Sequence, residues 1–353
     1  MNVLHISRTM GQGGAEKIVF QLCCNNDVEN NVVASTGGDF AERLEKKGVR
    51  HYLIPDIDKK NPLLIIKTLV ILNNIIKKEK IDIVHSHHRM AAFYAKLLQI
   101  IHKHLKHVYT AHNVFYGKRS LMRFALRNSQ IVACGDTVKQ NLIEEYRIEE
   151  DRIKLIYNAV DAPDFRKVEK TFDTQGRPCI GTIGRLSKQK GIDIFLKAIG
   201  YLKEKYPMVL GVIIGDGEDR DKLIGLSEKL GIQENVVFLG YRSDVFSIIK
   251  SVDFIALCSR WEGFPLTPIE TFAMRKTIVA SNIKNNLEII IDDYNGKIFE
   301  KDNYLDLANK ILELFDPQYR AVLEERAFLS YTEKYSYDHF IKEYKDIYLG
   351  DCV

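Results

Sequence analysis

Apolar residues along this chain follow two alternating patterns. Short runs of apolar and β-branched residues predict buried strands, and longer segments with apolar residues three or four positions apart predict helices. In the first half, strands are predicted at 3–6, 31–35, 49–54, 81–85, 107–111 and 130–135, and helices at 40–47 and 63–80. Strands that alternate with helices form parallel sheets with helices on both faces. The pattern therefore predicts a doubly wound α/β domain.

The second half shows the same alternation without a residue-level repeat. Its strands are predicted at 179–184, 209–214, 235–239, 253–258 and 277–281. A polar, irregular stretch at 162–177 separates the halves, which is typical of a linker. The 353 residues also exceed what one hydrophobic core usually covers. We therefore predict two domains, followed by an amphipathic helix that packs on the first one, with bounds at 1–165, 166–335 and 336–353.

The composition excludes several classes of protein. Hydrophobic residues make up 46% and charged residues 28% of the chain, which is ordinary for a globular protein. No apolar run reaches the roughly 18 residues that span a bilayer, and the N-terminus has no signal-peptide pattern. The six cysteines include no C-x-x-C spacing, which favours reduced thiols in a cytosolic protein.

The net charge of +4 is unevenly distributed. Residues 1–170 contain 27 Lys and Arg against 19 Asp and Glu, a net charge of +8, which leaves −4 for residues 171–353. A basic half can face an anionic surface or a pyrophosphate-linked acceptor, and an ordinary solvated basic surface is the alternative. Nothing in the pattern indicates nucleic-acid binding.

The predicted strand at 253–258 leads into a turn with two carboxylates nearby. Glu262 lies in this turn, and Glu270 lies in the helix that follows it. Eight helical residues would separate these carboxylates by roughly 12 Å. A retaining glycosidase pair needs about 5 Å. The spacing therefore predicts two separate contacts with one extended ligand rather than an acid/base pair.

The predicted strand at 179–184 leads into a basic loop. Arg185 and Lys190 stand five residues apart in this loop, before a helix that starts near Ile192. A guanidinium fork and an ammonium group both suit a diphosphate, and a helix N-terminus favours anions. A solvated basic loop is the alternative if the loop is considered alone.

The first strand leads into a glycine-rich turn that contains Gly13 and Gly14. Such a turn lets backbone N–H groups approach a phosphate or a sugar. Its spacing does not match G-x-G-x-x-G, which disfavours a nicotinamide-dependent dehydrogenase.

Most of the ten histidines have no recognisable ligand spacing, so we predict no metal site and expect surface or strand-end positions for them. His112 differs from the others because it lies in a turn directly after the strand at 107–111. Ligands of open α/β sheets bind at the carboxyl ends of strands, so His112 could contact a ligand there.

Taken together, these motifs resemble the retaining glycosyltransferases of family four, which have the GT-B fold. The resemblance rests on Gly13 and Gly14, on Arg185 with Lys190, and on the E-x7-E spacing from Glu262 to Glu270, and it covers nearly the whole chain. It implies two Rossmann-like domains that face a central cleft. The first would bind the acceptor and the second the nucleotide-sugar donor. Ala159 and Gly135 depart from the residues that the family more often has, which affects the subfamily rather than the family.

The resemblance also implies roles for individual residues. The catalytic residues would be Glu262, His112, Arg185 and Lys190. The donor would be bound by Gly13, Gly14, Arg185, Lys190, Tyr241, Glu262, Gly263, Phe264, Pro265, Leu266 and Glu270.

Within that set, the two cations would hold the pyrophosphate, and Glu262 would hold hydroxyls of the donor sugar. Glu270 would bind the ribose, and Tyr241 would line the nucleobase pocket. Pro265 has no N–H, so Phe264 and Leu266 would supply the backbone donors. No D-x-D metal clamp is found at a convincing strand end, so no metal or cofactor is expected.

The expected reaction moves a sugar from a UDP- or GDP-linked donor to a hydroxyl of a glycan or lipid-linked acceptor. Surface polysaccharide or glycolipid synthesis in the cytoplasm is the expected setting. Residues 63–80 and 116–127 combine apolar and basic residues, which suggests an anionic membrane surface such as the inner face of the plasma membrane. Apolar faces that belong to the core are the alternative. A nucleotide-sugar epimerase of the same fold and a non-catalytic nucleotide-sugar-binding protein are the alternative functions.

Overall fold

The computed structural model describes residues 1–11, 13–25, 28–59 and 61–350. The chain divides into two compact units. The first comprises Met1–Ala159 together with the chain from Tyr337, and the second comprises Val160–Ser336. The division after Ala159 lies six residues before the predicted bound at 165.

The described part of the first unit contains one seven-stranded sheet, and every strand pair in it is parallel. Its strands are β1 Asn2–Ile6, β2 Asn30–Ser35, β3 Arg50–Leu53, β4 Ile83–Ser86, β5 Lys106–Ala111, β6 Gln130–Ala133 and β7 Ile153–Leu155. Its helices before the linker are α1 Gly14–Cys23, α2 Asp39–Lys46, α3 Pro62–Glu79, α4 Arg89–Ile101, α5 Arg119–Ala125 and α6 Asp136–Tyr146.

The strand order of this sheet is β3-β2-β1-β4-β5-β6-β7. β1 therefore lies between β2 and β4, and the direction of winding reverses at the β1/β4 boundary. Ligands of open α/β sheets bind at the carboxyl ends of the strands at such a switch point. His5 of β1 is in register with His85 of β4, so the two rings lie side by side in this region. Buried aliphatic residues of β1, β4 and α4 form the core beneath it.

The described part of the second unit contains a six-stranded sheet with parallel pairing throughout. Its strands are β8 Cys179–Ile183, β9 Leu210–Ile214, β10 Val236–Gly240, β11 Phe254–Leu257, β12 Ile278–Ser281 and β13 Lys297–Phe299. Its helices are α7 Ile192–Lys203, α8 Arg220–Lys229, α9 Val245–Ser251, α10 Thr267–Ala273, α11 Lys284–Leu287, α12 Tyr304–Glu313 and α13 Pro317–Lys334. The order is β10-β9-β8-β11-β12-β13, so the switch point lies between β8 and β11.

The last helix, α14 (Tyr337–Leu349), belongs to the first unit. Its tyrosine hydroxyls bond to that unit's polar interior. Tyr344 is 3.0 Å from Thr110 Oγ1, Tyr348 is 2.6 Å from His85 Nδ1, and Tyr337 donates to the carbonyl of Gln21. The helix was predicted over 336–353, and residues 351–353 lie outside the described part of the chain.

Several features differ from the sequence-based expectations. Helix α4 and strand β7 were not predicted, because α4 is apolar over most of its length and β7 has only three residues. His85, His87 and His107 lie at strand ends as expected, but they are buried rather than on the surface. Both ring nitrogens of His85 and His87 have hydrogen-bond partners on neighbouring strands and helices, and His107 Nε2 bonds to the Ser86 hydroxyl. Spacing along the chain does not reveal such partners.

Two further predictions concern membrane-spanning helices and the state of the cysteines. None of the described helices combines the length and apolar character needed to cross a membrane. Cys23, Cys24, Cys134, Cys179 and Cys258 are not joined in disulfides.

Candidate active site

The switch point of the second sheet brings two predicted loops together. β8 and β11 are direct neighbours, with Phe254 in register with Ile180. The loop after β8 carries Arg185 and Lys190, and the loop after β11 carries Glu262. Since parallel strands end at the same edge of a sheet, these loops meet although they are distant along the chain.

Lys190 and Glu262 form an ion pair at this edge. The Lys190 ammonium donates to Glu262 Oε1 at 2.6 Å, and the Ser259 hydroxyl donates to the same oxygen at 2.5 Å. The Gln189 amide lies 3.5 Å from the other carboxylate oxygen. The side chains of Lys190 and Glu262 are 20% and 8% exposed. Charge-assisted bonds of this kind are stronger than neutral ones, so the pair is a well-defined, partly desolvated charge centre.

Arg260 joins the two loops, although the sequence analysis did not select it. Its guanidinium donates two bonds to the carboxylate of Asp193 on α7, at 2.9 and 2.8 Å, and one to the carbonyl of Lys188. Its backbone N–H donates to the carbonyl of Gln189. Burial alone would raise the pKa of Asp193, but the bonds from Arg260 outweigh it and lower that pKa. The bonded Asp193 in turn raises the pKa of Arg260. Arg260 stands two residues before Glu262 and Asp193 three after Lys190, and this closeness was the only sequence signal for them.

Gly191 allows the close approach of the same two loops. Its φ is +63°, in the left-handed region, and a Cβ at this position would lie 2.1 Å from the carbonyl oxygen of Cys258. No other residue fits there without moving the backbone, because that distance is far below van der Waals contact.

Glu270 is buried in the first turn of α10. The structure corrects the geometric argument about this residue. Helix α10 begins only at Thr267, so the segment between Glu262 and Glu270 is mostly a turn, and the spacing of eight helical residues does not apply. The two carboxylates still have different surroundings, since Glu262 faces Lys190.

The predicted donor-binding segment between these carboxylates lies around the start of α10. Phe264 and Pro265 are buried, and Leu266 is half-buried at the N-cap. The carbonyl of Gly263 accepts a hydrogen bond from the Asn285 side chain. Asn285 was not predicted, because it lies in a different helix, α11, far along the chain.

Two other predicted residues do not join the ion pair. Arg185 is exposed, and within the described residues it has no hydrogen bond or ion pair. Tyr241 follows the edge strand β10, which β9 separates from β8, and it is 53% exposed. Their predicted roles towards a donor remain predictions.

The first unit places its predicted residues around its own switch point. Gly13 is the N-cap of α1 and Gly14 its first residue. Gln12, in the same glycine-rich turn, lies outside the described residues. The turn packs on the loop after β2, where a Cβ on Gly38 would lie 2.6 Å from the backbone of Met10. The backbone at Met10, where this turn begins, is therefore held close to the loop after β2.

His112 follows β5 and is joined to a cluster of buried histidines. Its Nε2 lies 3.0 Å from His87 Nδ1, and His87 Nε2 lies 3.0 Å from His5 Nδ1. Burial lowers the pKa of His112 to about 4 and that of His5 to about 4, so both rings are neutral at pH 7. His112 was predicted from its turn, but its partners were not, because they come from β1 and the end of β4.

The same cluster has the spacing of a possible three-histidine metal site. Ring nitrogens of His5, His85 and His87 lie within 4.8 Å of one another. All six nitrogens of these rings already have a protein hydrogen-bond partner, namely Asn31, Thr110, Tyr348, His112 and each other. A metal ion would have to replace these bonds, so the donor set fits a hydrogen-bonded network better than a metal centre.

Two family models match consecutive parts of the chain. The model "Glycosyltransferase Family 4" matches residues 12–163, and "Glycosyl transferases group 1" matches residues 164–330. Their junction lies four residues after the point where the structure divides into two units. The chain belongs to glycosyltransferase family four.

Individual proteins are similar to this glycosyltransferase over nearly its full length. An Escherichia coli protein named UDP-Gal:alpha-D-GlcNAc-diphosphoundecaprenol alpha-1,3-galactosyltransferase is 25% identical over 365 residues, which cover 95% of this chain and 92% of that protein. The crystal structure of a glycosyltransferase from Rickettsia africae ESF-5 superposes with a TM-score of 0.86 at 23% identity, covering 98% and 97% of the two chains. The structure of Anabaena HepE in complex with UDP-glucose gives a TM-score of 0.84 at 19% identity, covering 99% and 100%.

These comparisons confirm the predicted fold and enzyme class. The glycosyltransferase has the GT-B fold, with two Rossmann-like sheets that each consist of parallel strands. It is a sugar transferase of a retaining family that uses nucleotide-sugar donors.

Proposed function

We propose that this glycosyltransferase moves a hexose or N-acetylhexosamine from a UDP-linked donor to a hydroxyl of a lipid-linked glycan, with retention of configuration. The observation that carries the proposal is the Lys190–Glu262 ion pair at the switch point of the second sheet. In this proposal Lys190 is the cation that binds the diphosphate, and the neighbouring Glu262 is the carboxylate that binds sugar hydroxyls. The superposition with a protein that binds UDP-glucose supports uridine as the nucleobase.

In this proposal the second unit holds the donor. Lys190 and the exposed Arg185 neutralise the charge that grows on the diphosphate as the sugar–phosphate bond breaks. Glu262 then exchanges part of its bonding with Lys190 for hydroxyls of the sugar. Glu270 contacts the ribose, Tyr241 the base, and the backbone N–H groups of Phe264 and Leu266 the phosphates.

The first unit carries the remaining residues of this proposal. Gly13 and Gly14 offer backbone N–H groups to the phosphates or the acceptor, and His112 accepts a hydrogen bond from a hydroxyl of the transferred sugar. No described side chain is placed as an obvious nucleophile, which supports a front-face reaction. In such a reaction the leaving phosphate takes the proton of the acceptor hydroxyl, and the protein supplies position and electrostatic stabilisation.

The acceptor proposal combines a relative's name with an exposed face of α3. The Escherichia coli relative is named for an acceptor linked to diphosphoundecaprenol, which is a membrane lipid carrier. Leu63, Ile66 and Val70 are 76%, 59% and 53% exposed on one side of α3, and Lys67 is exposed beside them. Apolar residues flanked by cations on one helix face suit an anionic bilayer. We therefore place the enzyme in the cytoplasm, at the inner face of the plasma membrane.

The donor and reaction are tested by two measurements on the purified protein. A thermal-shift panel of UDP- and GDP-linked sugars should show stabilisation by UDP forms, because a ligand that binds the native state raises its stability. Transfer to a polyprenyl-diphosphate sugar should then give an α-linked product from an α-linked donor, and Glu262→Ala should abolish it with the melting temperature retained. Full activity of that variant, or release of a free epimer without acceptor, would contradict the proposal.

The membrane proposal is tested by co-sedimentation with vesicles. Vesicles that contain phosphatidylglycerol should bind the protein at low salt, and the double variant Leu63→Glu/Ile66→Glu should lose binding. Val322→Glu/Leu329→Glu is the matched control, since these residues are 46% and 45% exposed on α13 of the second unit. Equal binding by wild type and both variants would contradict the assignment of this face.

A further inference from the structure

The buried residue Asn31 has only one possible orientation of its side-chain amide. Its Nδ2 lies 3.3 Å from the carbonyl of Cys23 and 3.5 Å from that of Leu22, both of which only accept. The amide nitrogen must therefore face these carbonyls, and Oδ1 faces His5 Nε2 at 3.2 Å. Because Oδ1 also only accepts, His5 must carry its proton on Nε2.

This assignment passes from ring to ring. A neutral His5 with its proton on Nε2 has a lone pair on Nδ1, so His87 must donate to it from Nε2 at 3.0 Å. His87 then has a lone pair on Nδ1, and His112 must donate to it from its own Nε2 at 3.0 Å. The planes of adjacent rings differ by 14° and 23°, so each N–H can point along the next lone pair. The low pKa of His5, which burial lowers to about 4, keeps the ring that starts the series neutral.

We propose that Asn31, His5 and His87 form a hydrogen-bond relay that fixes His112 in the tautomer with its proton on Nε2. Nδ1 of His112 is then an acceptor only. Within the described residues this buried nitrogen has no hydrogen-bond partner. A donating hydroxyl satisfies it, whereas the opposite tautomer would present an N–H there and would set two lone pairs against each other at His87. Asn31, His5 and His87 are thus positioning residues for an acceptor atom of the site.

The relay rests on the proposed function in one respect only, namely that the hydroxyl belongs to the transferred sugar. The tautomer itself can be read in the wild-type protein without substrate. In a [15N]histidine-labelled sample at pH 7.5, long-range proton–nitrogen correlation separates protonated from unprotonated ring nitrogens. We expect protonated Nε2 and unprotonated Nδ1 at His5, His87 and His112. A proton on Nδ1 of His112, or a charged ring, would overturn the relay even if transfer activity is found.

Two variants of His87 test the transmission step. His87→Leu removes the acceptor for His112, and His87→Asn offers an amide oxygen near the position of Nδ1. We expect His87→Leu to give a mixture of His112 tautomers and about a tenfold lower kcat, with unchanged affinity for UDP because the diphosphate is held elsewhere. His87→Asn should restore most of the kcat and the single tautomer. A purely structural role would lower both variants equally, and that result would refute the relay.

The start of the relay has its own control. Asn31→Leu should also mix the tautomers of all three rings, whereas Asn30→Leu, which removes only an exposed contact with Arg50, should not. His85 is bonded to Thr110 and Tyr348 instead, so its tautomer should stay constant in every variant. One tightly bound divalent ion per chain by elemental analysis would contradict the relay, because these nitrogens would then be ligands.

Discussion

The two units share one architecture, but their switch points contain opposite chemistry. In the second unit, the loops after β8 and β11 and the first turn of α7 hold two bonded charge pairs, Lys190–Glu262 and Arg260–Asp193. In the first unit, the strand ends around β1 and β4 hold neutral histidines. All ten histidines of the chain lie outside residues 160–336. The same fold therefore supports different chemistry, because the side chains at the strand ends and in the loops after them decide it, and not the fold itself.

The two switch points differ physically in how they respond to a change of charge. Bonded opposite charges compensate each other, and a charged ligand can replace one partner without leaving the other unpaired. Buried neutral rings avoid the desolvation of a charge altogether, which is why their pKa values are lowered. The second unit should therefore be sensitive to the removal of a charge, and the first to the addition of a proton.

Mild acid gives the largest expected difference between the units. The pKa values of His5 and His112 are lowered to about 4, against 6.5 in the unfolded chain, so the unfolded state binds more protons between these values. Stability from each ring is complete above pH 6.5 and is lost as pH falls towards 4, by about 1.4 kcal/mol per pH unit. His107, with a pKa of about 3, adds a third contribution. We expect urea midpoints to fall steeply between pH 7 and 5.

The single tryptophan, Trp261, separates the two units in that experiment. It lies in the second unit, whereas far-UV circular dichroism reports on both. The midpoint from circular dichroism should therefore fall more than the midpoint from Trp261 fluorescence. If the two urea midpoints fell equally, the predicted difference in acid sensitivity between the units would be wrong.

Removal of the Lys190 charge should have the next largest effect. Lys190→Ala deletes the cation that faces Glu262, and loss of one stabilising group at a developing charge costs about 100- to 1000-fold in kcat. Steady-state transfer kinetics measure it. Lys188→Ala is the matched control, since Lys188 is exposed in the same loop and does not contact Glu262. Comparable losses in both variants would mean that the loop, and not the ion pair, is responsible.

Arg260→Ala should have a smaller effect, mainly on stability. It leaves the half-buried Asp193 without its two bonds, which should cost about 2 kcal/mol in the free energy of unfolding. Denaturant titration gives that value. Arg242→Ala removes a similar two-bond contact with Asp244 near the surface and should change stability very little. Equal stability of both variants would contradict the view that Arg260 stabilises the fold by linking the two loops.

Gln189→Ala should have the smallest effect of the series. The Gln189 amide donates to the carbonyl of Trp261 at 2.9 Å and is 3.5 Å from Glu262, so it supports the carboxylate without adding charge. Loss of one neutral bond corresponds to about 1 kcal/mol, or roughly fivefold in kcat/KM. Gln189→Glu should be worse, because it places a second negative charge beside Glu262. A more active Gln189→Glu variant would contradict this view of the ion pair.

The sequence predicted much of the second unit's site and little of the first unit's. Arg185, Lys190 and Glu262 stand in loops directly after apolar strands, so local pattern was enough to select them. Arg260 and Asp193 were missed because a structural ion pair has no spacing signal. The turn at Glu262 and the helix at Glu270 were both predicted, but the estimate of roughly 12 Å between them counted eight helical residues. The helix begins only at Thr267, and a proline such as Pro268 suits a helix start without marking its exact first residue.

Hydrophobic periodicity by itself determined that this chain forms two α/β domains, since each strand and helix is set by residues close along the chain. Only the tertiary structure decided which strand ends meet. It placed β1 beside β4 and β8 beside β11, and thereby joined Lys190 to Glu262, 72 residues later, and His5 to His87, 82 residues later. Strand order depends on how whole βαβ units pack, and no local pattern encodes it. The neutral histidine relay therefore appears only when the sheet is assembled.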